Sequence, residues 1–215
     1  TDATSNGTYM VADIAPGTSS GIPSQYVAAS NGKLYFAAND LVNGPELWVS
    51  DGTSGGTSMV KDVFNGTASA GALYPFSTPW GIVFGGFQTA TGRELWRTDG
   101  TDAGTYLVKD IAPSTATGYN NQGTNFWGCL GSKYLFHGQN KIWTTDGTSA
   151  GTVGVGTSVQ NPYDITDAGT QTFFVAYTST TGNELWRTDG TDAGTYMVKD
   201  INPGAGEGVP SDAIS

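Results

Sequence analysis

Cysteine is almost missing from this 215-residue sequence: Cys129 stands alone, so no intrachain disulfide staples the fold. Histidine is as scarce, with His137 the only one, and no metal-ligand spacing of His or Cys exists. Cys129 and His137 make no nucleophile and base pair either, since no third group can be named to orient them. Cations are few. Nine Lys and Arg are scattered among nineteen Asp and Glu, for a formal charge of -10 and a pI of about 4.2. A nucleic-acid binder needs clustered positive charge to displace phosphate counterions, so nucleic acid is excluded as a partner. Long hydrophobic runs are absent too. Residues 172–177 stop after one strand length, well short of the roughly 20 residues of a membrane span, and the chain reads as soluble. No stretch carries helical periodicity of adequate length.

Aromatic residues are plentiful: six Trp, ten Tyr and nine Phe supply apolar area for a core, so the low charge of 13% does not signal disorder. The chain opens Thr1-Asp2-Ala3 and its first Met is Met10, which reads as a processed product and fits removal of a secretory leader. Abundant Gly, Thr, Ser and Asn with little Lys fits an extracellular or cell-surface protein. Two Asn-x-Thr sequons, at Asn6 and Asn65, are candidate glycosylation sites, although both also read as ordinary turn residues.

The dominant signal is internal repetition. Glu46-Leu47-Trp48-Val49-Ser50-Asp51-Gly52-Thr53 recurs as Glu94-Leu95-Trp96-Arg97-Thr98-Asp99-Gly100-Thr101. It returns as Lys141-Ile142-Trp143-Thr144-Thr145-Asp146-Gly147-Thr148, and again from Glu184 through Trp186 to Thr191. The four Trp lie 48, 47 and 43 residues apart, giving units of roughly 8–56, 57–104, 105–151 and 152–194 in a single repeat domain, 1–215. One period reads as four short strands, near 25–30, 33–38, 46–50 and 57–63, with Asn31-Gly32 as a tight hairpin signal. The Asp-Gly-Thr-x-x-Gly-Thr stretch supplies the turn between third and fourth strands. Four meandering strands per period predict an all-β fold, a β-propeller of four repeat-derived four-stranded blades. An open solenoid is the alternative.

These motifs resemble the tandem repeats named for their Glu-Leu-Trp-x-x-Asp-Gly-Thr signature, found in secreted and surface-associated microbial proteins. The resemblance covers nearly the whole chain and implies an extracellular repeat architecture with no catalytic residues to carry over. Asp102-x-Gly104 and Asp192-x-Gly194 are also similar to part of the Asp-box turn of sialidase-type propellers. Their flanking residues do not match, so the likeness reads as shared turn geometry.

The two ends overlap. At a constant offset of 187, residues 188–215 duplicate 1–28 without a gap, including Thr8-Tyr9-Met10-Val11 with Thr195-Tyr196-Met197-Val198 and Ile14 with Ile201. Four blades need four fourth strands, and this chain has five. A surplus strand presents unpaired backbone groups, which is a template for assembly. Thr8, Tyr9, Met10, Val11 and Ile14, or Thr195, Tyr196, Met197, Val198 and Ile201, are therefore the candidate assembly strands. Insertion into a neighbour is head to tail and propagates into a filament unless the rotation closes.

The repeated Trp are expected to pack blades. Asp51, Asp99, Asp146 and Asp189 are the carboxylates that calcium would use if turns clustered, but each turn lacks the dense oxygen spacing of a calcium loop; otherwise no cofactor or metal is expected. The third unit has lost a loop: Phe136 to Trp143 is 7 residues, where Phe36 to Trp48, Phe84 to Trp96 and Phe174 to Trp186 are each 12. It also carries Lys141 in place of Glu, which reads as drift in one blade. Tyr74, Trp80, Tyr119 and Trp127 lie outside the repeat and are candidate glycan contacts. The expected function is a noncatalytic structural or adhesive subunit that polymerises with copies of itself. A carbohydrate-binding lectin of the propeller type, with surface glycans as partners, is the second reading.

Overall fold

The structure is a computed structural model that describes residues 4–21, 26–29, 31–64, 66, 73–113, 118, 128–156, 158–206 and 208–209. It contains sixteen strands among the described residues and no helix long and apolar enough to cross a membrane. The strands form four antiparallel sheets, each made of four consecutive strands in chain order. Blade 1 holds β1 (Tyr26–Ala28), β2 (Leu34–Asn39), β3 (Pro45–Ser50) and β4 (Ser58–Lys61). Blade 2 holds β5 (Leu73–Thr78), β6 (Gly81–Gln88), β7 (Gly92–Thr98) and β8 (Tyr106–Lys109). Blade 3 holds β9 (Gly128–Leu130), β10 (Lys133–Gly138), β11 (Lys141–Thr145) and β12 (Val153–Val155). Blade 4 holds β13 (Gln160–Asp167), β14 (Thr172–Thr178), β15 (Gly182–Thr188) and β16 (Tyr196–Lys199). The all-β, four-bladed expectation is met. Units that begin at a fourth strand, as 57–104 does at β4, are cut one strand out of phase with these sheets.

The registers repeat with the sequence. Phe36 faces Trp48, Phe136 faces Trp143 and Phe174 faces Trp186 across the second and third strands of their blades. In blades 1 and 4 the pairing of third and fourth strands slips at the same place, between Leu47 and Trp48 and between Leu185 and Trp186. The slip is a bulge, and it leaves Val60 and Val198 as the extra residue of their strands.

The chain divides into two compact units, one of residues 1–90 and 96–107, the other of 91–95 and 108–215. The first has a core of Tyr35, Leu47, Val49, Val60 and Val63 from blade 1 and its following loop, packed with Ile82, Phe84 and Trp96 from blade 2. The second repeats this plan with Leu130, Leu135, Ile142 and Val155 from blade 3 and Phe174, Ala176 and Trp186 from blade 4. Alternation along each strand thus gives every blade a leading face, carrying the Phe and Trp, and a trailing face, carrying the Val of the fourth strand. In each core, a trailing face is covered by the leading face of the next blade.

Candidate assembly site

Each repeat closes its third turn on itself. In the first, the Thr53 N–H and hydroxyl both donate to Asp51 Oδ1, at 2.9 and 2.7 Å, and the Gly56 N–H donates to Thr53 Oγ1 at 3.0 Å. The Thr57 hydroxyl donates to the Thr53 carbonyl at 2.7 Å and lies 2.7 Å from Ser50 Oγ. The same bonds recur around Asp99, Asp146 and Asp189. These threonine hydrogen bonds hold all four carboxyls below the usual aspartate range. Among the described residues, no three His, Cys, Asp or Glu side chains gather into a metal-binding group.

The glutamate of the repeat has a role that reading the sequence missed. Glu46, Glu94 and Glu184 are buried, and their carboxylates accept backbone N–H groups from the loop beyond the fourth strand. Phe64 donates to Glu46 at 3.0 Å, Ile111 and Ala112 to Glu94 at 3.1 Å each, and Ile201 and Asn202 to Glu184 at 3.1 and 3.4 Å. Burial pushes Glu46 and Glu94 up to about 7. In blade 3 the fourth strand runs almost directly into β13, turning where the Val159 N–H donates to the Gly156 carbonyl. That blade has no long loop to clip, and its counterpart residue, Lys141, is exposed.

A polar latch runs from the end of a fourth strand to the third turn of the next repeat. Lys61 Nζ lies 3.0 Å from Asp102 Oδ1 and donates to the Asp102 carbonyl at 3.2 Å. Lys109 Nζ donates to the carbonyls of Ser149 and Thr152, at 3.4 and 2.8 Å. At the next junction the aligned residue is Gly156, whose N–H donates to Asp192 Oδ1 at 2.9 Å. The fourth member of the series, Lys199, is exposed and has no described partner.

The two copies of the duplicated segment have different structures. Tyr196, Met197 and Val198 lie in β16, paired with β15 of the same chain, while Thr195 is buried in the turn and Ile201 follows the strand. Residues 8–14 form no strand, and Tyr9 and Met10 are exposed. Val11, Ala12 and Ile14 instead lie over the leading face of blade 1, lining a cavity of about 360 Å³ with Leu34, Phe36, Ser50 and Thr57. Thr8 turns inward on its own segment, its hydroxyl donating to the Thr4 carbonyl at 2.8 Å.

Several apolar residues of the first and last blades are more exposed than their counterparts in the other repeats. Val198 is 45% exposed, whereas its counterparts Val60, Val108 and Val155 are 5%, 2% and 3% exposed. Ile201 is 51% exposed where Val63 is buried, and Leu34 is 39% exposed where Ile82 is buried.

The remaining candidates are spread out. Trp80 is stacked by the Arg97 guanidinium, 4.9 Å from its ring centre, and Arg97 also donates to the Trp80 carbonyl at 3.0 Å. Tyr74 sits half-buried in β5 with φ of 54°, and Asn6 is exposed. Tyr119, Trp127 and Asn65 lie outside the described residues. Cys129 pairs opposite Tyr134, three residues before His137, so the strand alternation places Cys129 and His137 on opposite faces of blade 3. Burial and then the Asp167 charge raise the Cys129 thiol, and burial lowers His137.

No family model and no curated protein matches the sequence. Among solved structures the chain is similar to puromycin hydrolase, with a TM-score of 0.56 and 17% identity over 87% of this chain. It is similar too to a puromycin-hydrolyzing peptidase of Mycobacterium tuberculosis, with a TM-score of 0.56 and 14% identity over 89% of this chain. The chain spans only 29% and 30% of the length of those two proteins. The likeness is one of β-propeller blades and is a likeness of fold.

Proposed function

We propose that this chain is a noncatalytic structural or adhesive subunit, working outside the cell or on its surface, whose copies join by exchange of the duplicated terminal segment. One observation carries the reading. Closely similar segments occur at the two ends, and one completes a blade as β16 while the other lies outside any sheet. A sequence written for the edge of a blade and left outside one is a donor in search of a neighbour. The extracellular setting rests on composition and on the resemblance to surface-associated repeats. The noncatalytic setting rests on Cys129 and His137 facing apart and on acids engaged at repeated positions, as turn-formers or loop clips. A lectin would need open aromatic platforms, and Trp80 already carries Arg97 on its ring. Sedimentation velocity and negative-stain electron microscopy of the full chain over a concentration series test the reading. Head-to-tail oligomers or filaments whose mass grows with concentration are expected; a monomer at every concentration overturns it.

A further inference from the structure

The trailing face of blade 4 and the leading face of blade 1 are the two members of one junction, separated to the ends of the chain. Inside the chain that junction is built from a fixed set of parts. The fourth-strand Val and the loop residue after it cover the Leu or Ile and the Phe of the next blade, as Val60 and Val63 cover Ile82 and Phe84. The lysine that follows the Val reaches the next third turn, as Lys61 and Lys109 do. Blade 4 supplies the first half of this set, as Val198, Lys199 and Ile201, and blade 1 supplies the second, as Leu34, Phe36 and the turn at Ser54. Terminal repeats of stacked architectures ordinarily carry polar outer faces that keep them soluble. These two carry apolar ones.

We infer that blade 4 of one copy docks on blade 1 of a second copy, with β16 remaining in its own sheet and displacing residues 8–14 of the second copy from the face they cover. This rests on the self-assembly reading but changes its mode: the C-terminal copy makes the join from within its own sheet, and no strand is exchanged. Residues 8–14 cover blade 1 with Val11 and Ile14, the counterparts of Val198 and Ile201, so they occupy the place that a preceding blade would take. They differ from β16 at the position that latches: Ala12 stands where the other copy has Lys199. Only β16 can carry an ammonium to the turn of the next blade. Ser54 there aligns with Asp102 and Ser149, and its carbonyl, like that of Asp102, accepts the backbone N–H three residues on. Residues 8–14 also pair with no strand, so displacing them breaks no ladder. The contact is heterologous, and each added copy presents a fresh blade 4.

The test compares full-length variants by sedimentation velocity, reading the concentration at which half the chain is assembled, with far-UV circular dichroism as the check on folding. Val198→Asp and Lys199→Glu change exposed residues and are expected to raise that concentration tenfold or more. Ser54→Asp copies the Asp102 carboxylate and is expected to lower it several-fold in the presence of Lys199, and not in a Lys199→Met background. The double variant Val11→Asp, Ile14→Asp frees the blade 1 face and is expected to lower it as well. The inference is overturned if the wild type assembles and the double variant does not, while Val198→Asp and Lys199→Glu assemble as before; the N-terminal segment is then the donor. It is overturned equally if Ser54→Asp raises the melting temperature while the mass stays that of one chain, since the junction then closes within a molecule. A wild type that is monomeric at every concentration fails the self-assembly reading itself, and this inference with it.

Discussion

At the scale of single residues, the second glycine of each Asp-Gly-Thr-x-x-Gly-Thr turn is fixed by contact, not by backbone angle. A Cβ on Gly104 would overlap the Asp99 carboxylate, and Gly56, Gly151 and Gly194 meet Asp51, Asp146 and Asp189 in the same way. Gly104→Ala is therefore expected to cost about 1–3 kcal/mol, measured by urea denaturation. The buried glutamates give stability a pH dependence of unusual sign. Glu46 and Glu94 sit near 7 in the folded chain against an ordinary 4.5, so the folded state holds more protons between those values. Stability is then expected to fall as pH rises from about 4.5 to 7 and to level off above. The lowered aspartates act in a separate window, favouring the fold above their ordinary 3.8 and ceasing to do so as pH falls below it. Thermal melts should peak between about pH 4 and 5, and Glu94→Gln should flatten the fall on the alkaline side. Cys129→Ser and His137→Ala are expected to leave assembly unchanged in the same sedimentation assay.

At the scale of strands and turns, much was legible. The four strands read in the first period fall on β1 to β4 within a residue or two at most ends, because alternation, Asn31-Gly32 and the Asp-Gly turn are all local signals. The lost loop of the third unit is equally local. It becomes a two-residue turn in which Gln139 and Asn140 both take positive φ, 51° and 57°, with the Trp143 indole N–H donating to the Gly138 carbonyl at 2.9 Å. Asn140→Gly suits that hairpin geometry and is expected to add a few tenths to about 1 kcal/mol, checked by denaturant titration. What escaped reading was the glutamate clip, since its partners are backbone groups 17 and 18 residues further on, and any residue supplies a backbone N–H. Lys141 looked like drift for the same reason. Its blade lacks the loop that the clip would hold, a fact that appears only once strand ends are known.

At the scale of the whole molecule, charge sets the conditions of association. Copies that each carry a formal charge of -10 repel one another, and the junction inferred above contributes only a single lysine against that field. Raising salt from about 10 mM to 150 mM shortens the Debye length from about 30 Å to about 8 Å and is expected to promote assembly, followed by light scattering. A fall in assembly over that range would mean that attraction between charges, and not burial of apolar faces, drives the contact. The end-to-end duplication was plain in the sequence, but not its outcome: Tyr-Met-Val is a strand at 196–198 and irregular at 9–11. The three residues are the same, and the visible difference is that 196–198 have the edge of β15 alongside while 9–11 pair with no strand. The tripeptide thus behaves as an adaptor that takes its shape from the socket. An adaptor of that kind cannot tell a copy of its own chain from a sibling protein ending in the same repeat, so any selectivity in who joins whom has to be written elsewhere, in the few positions where the repeats differ.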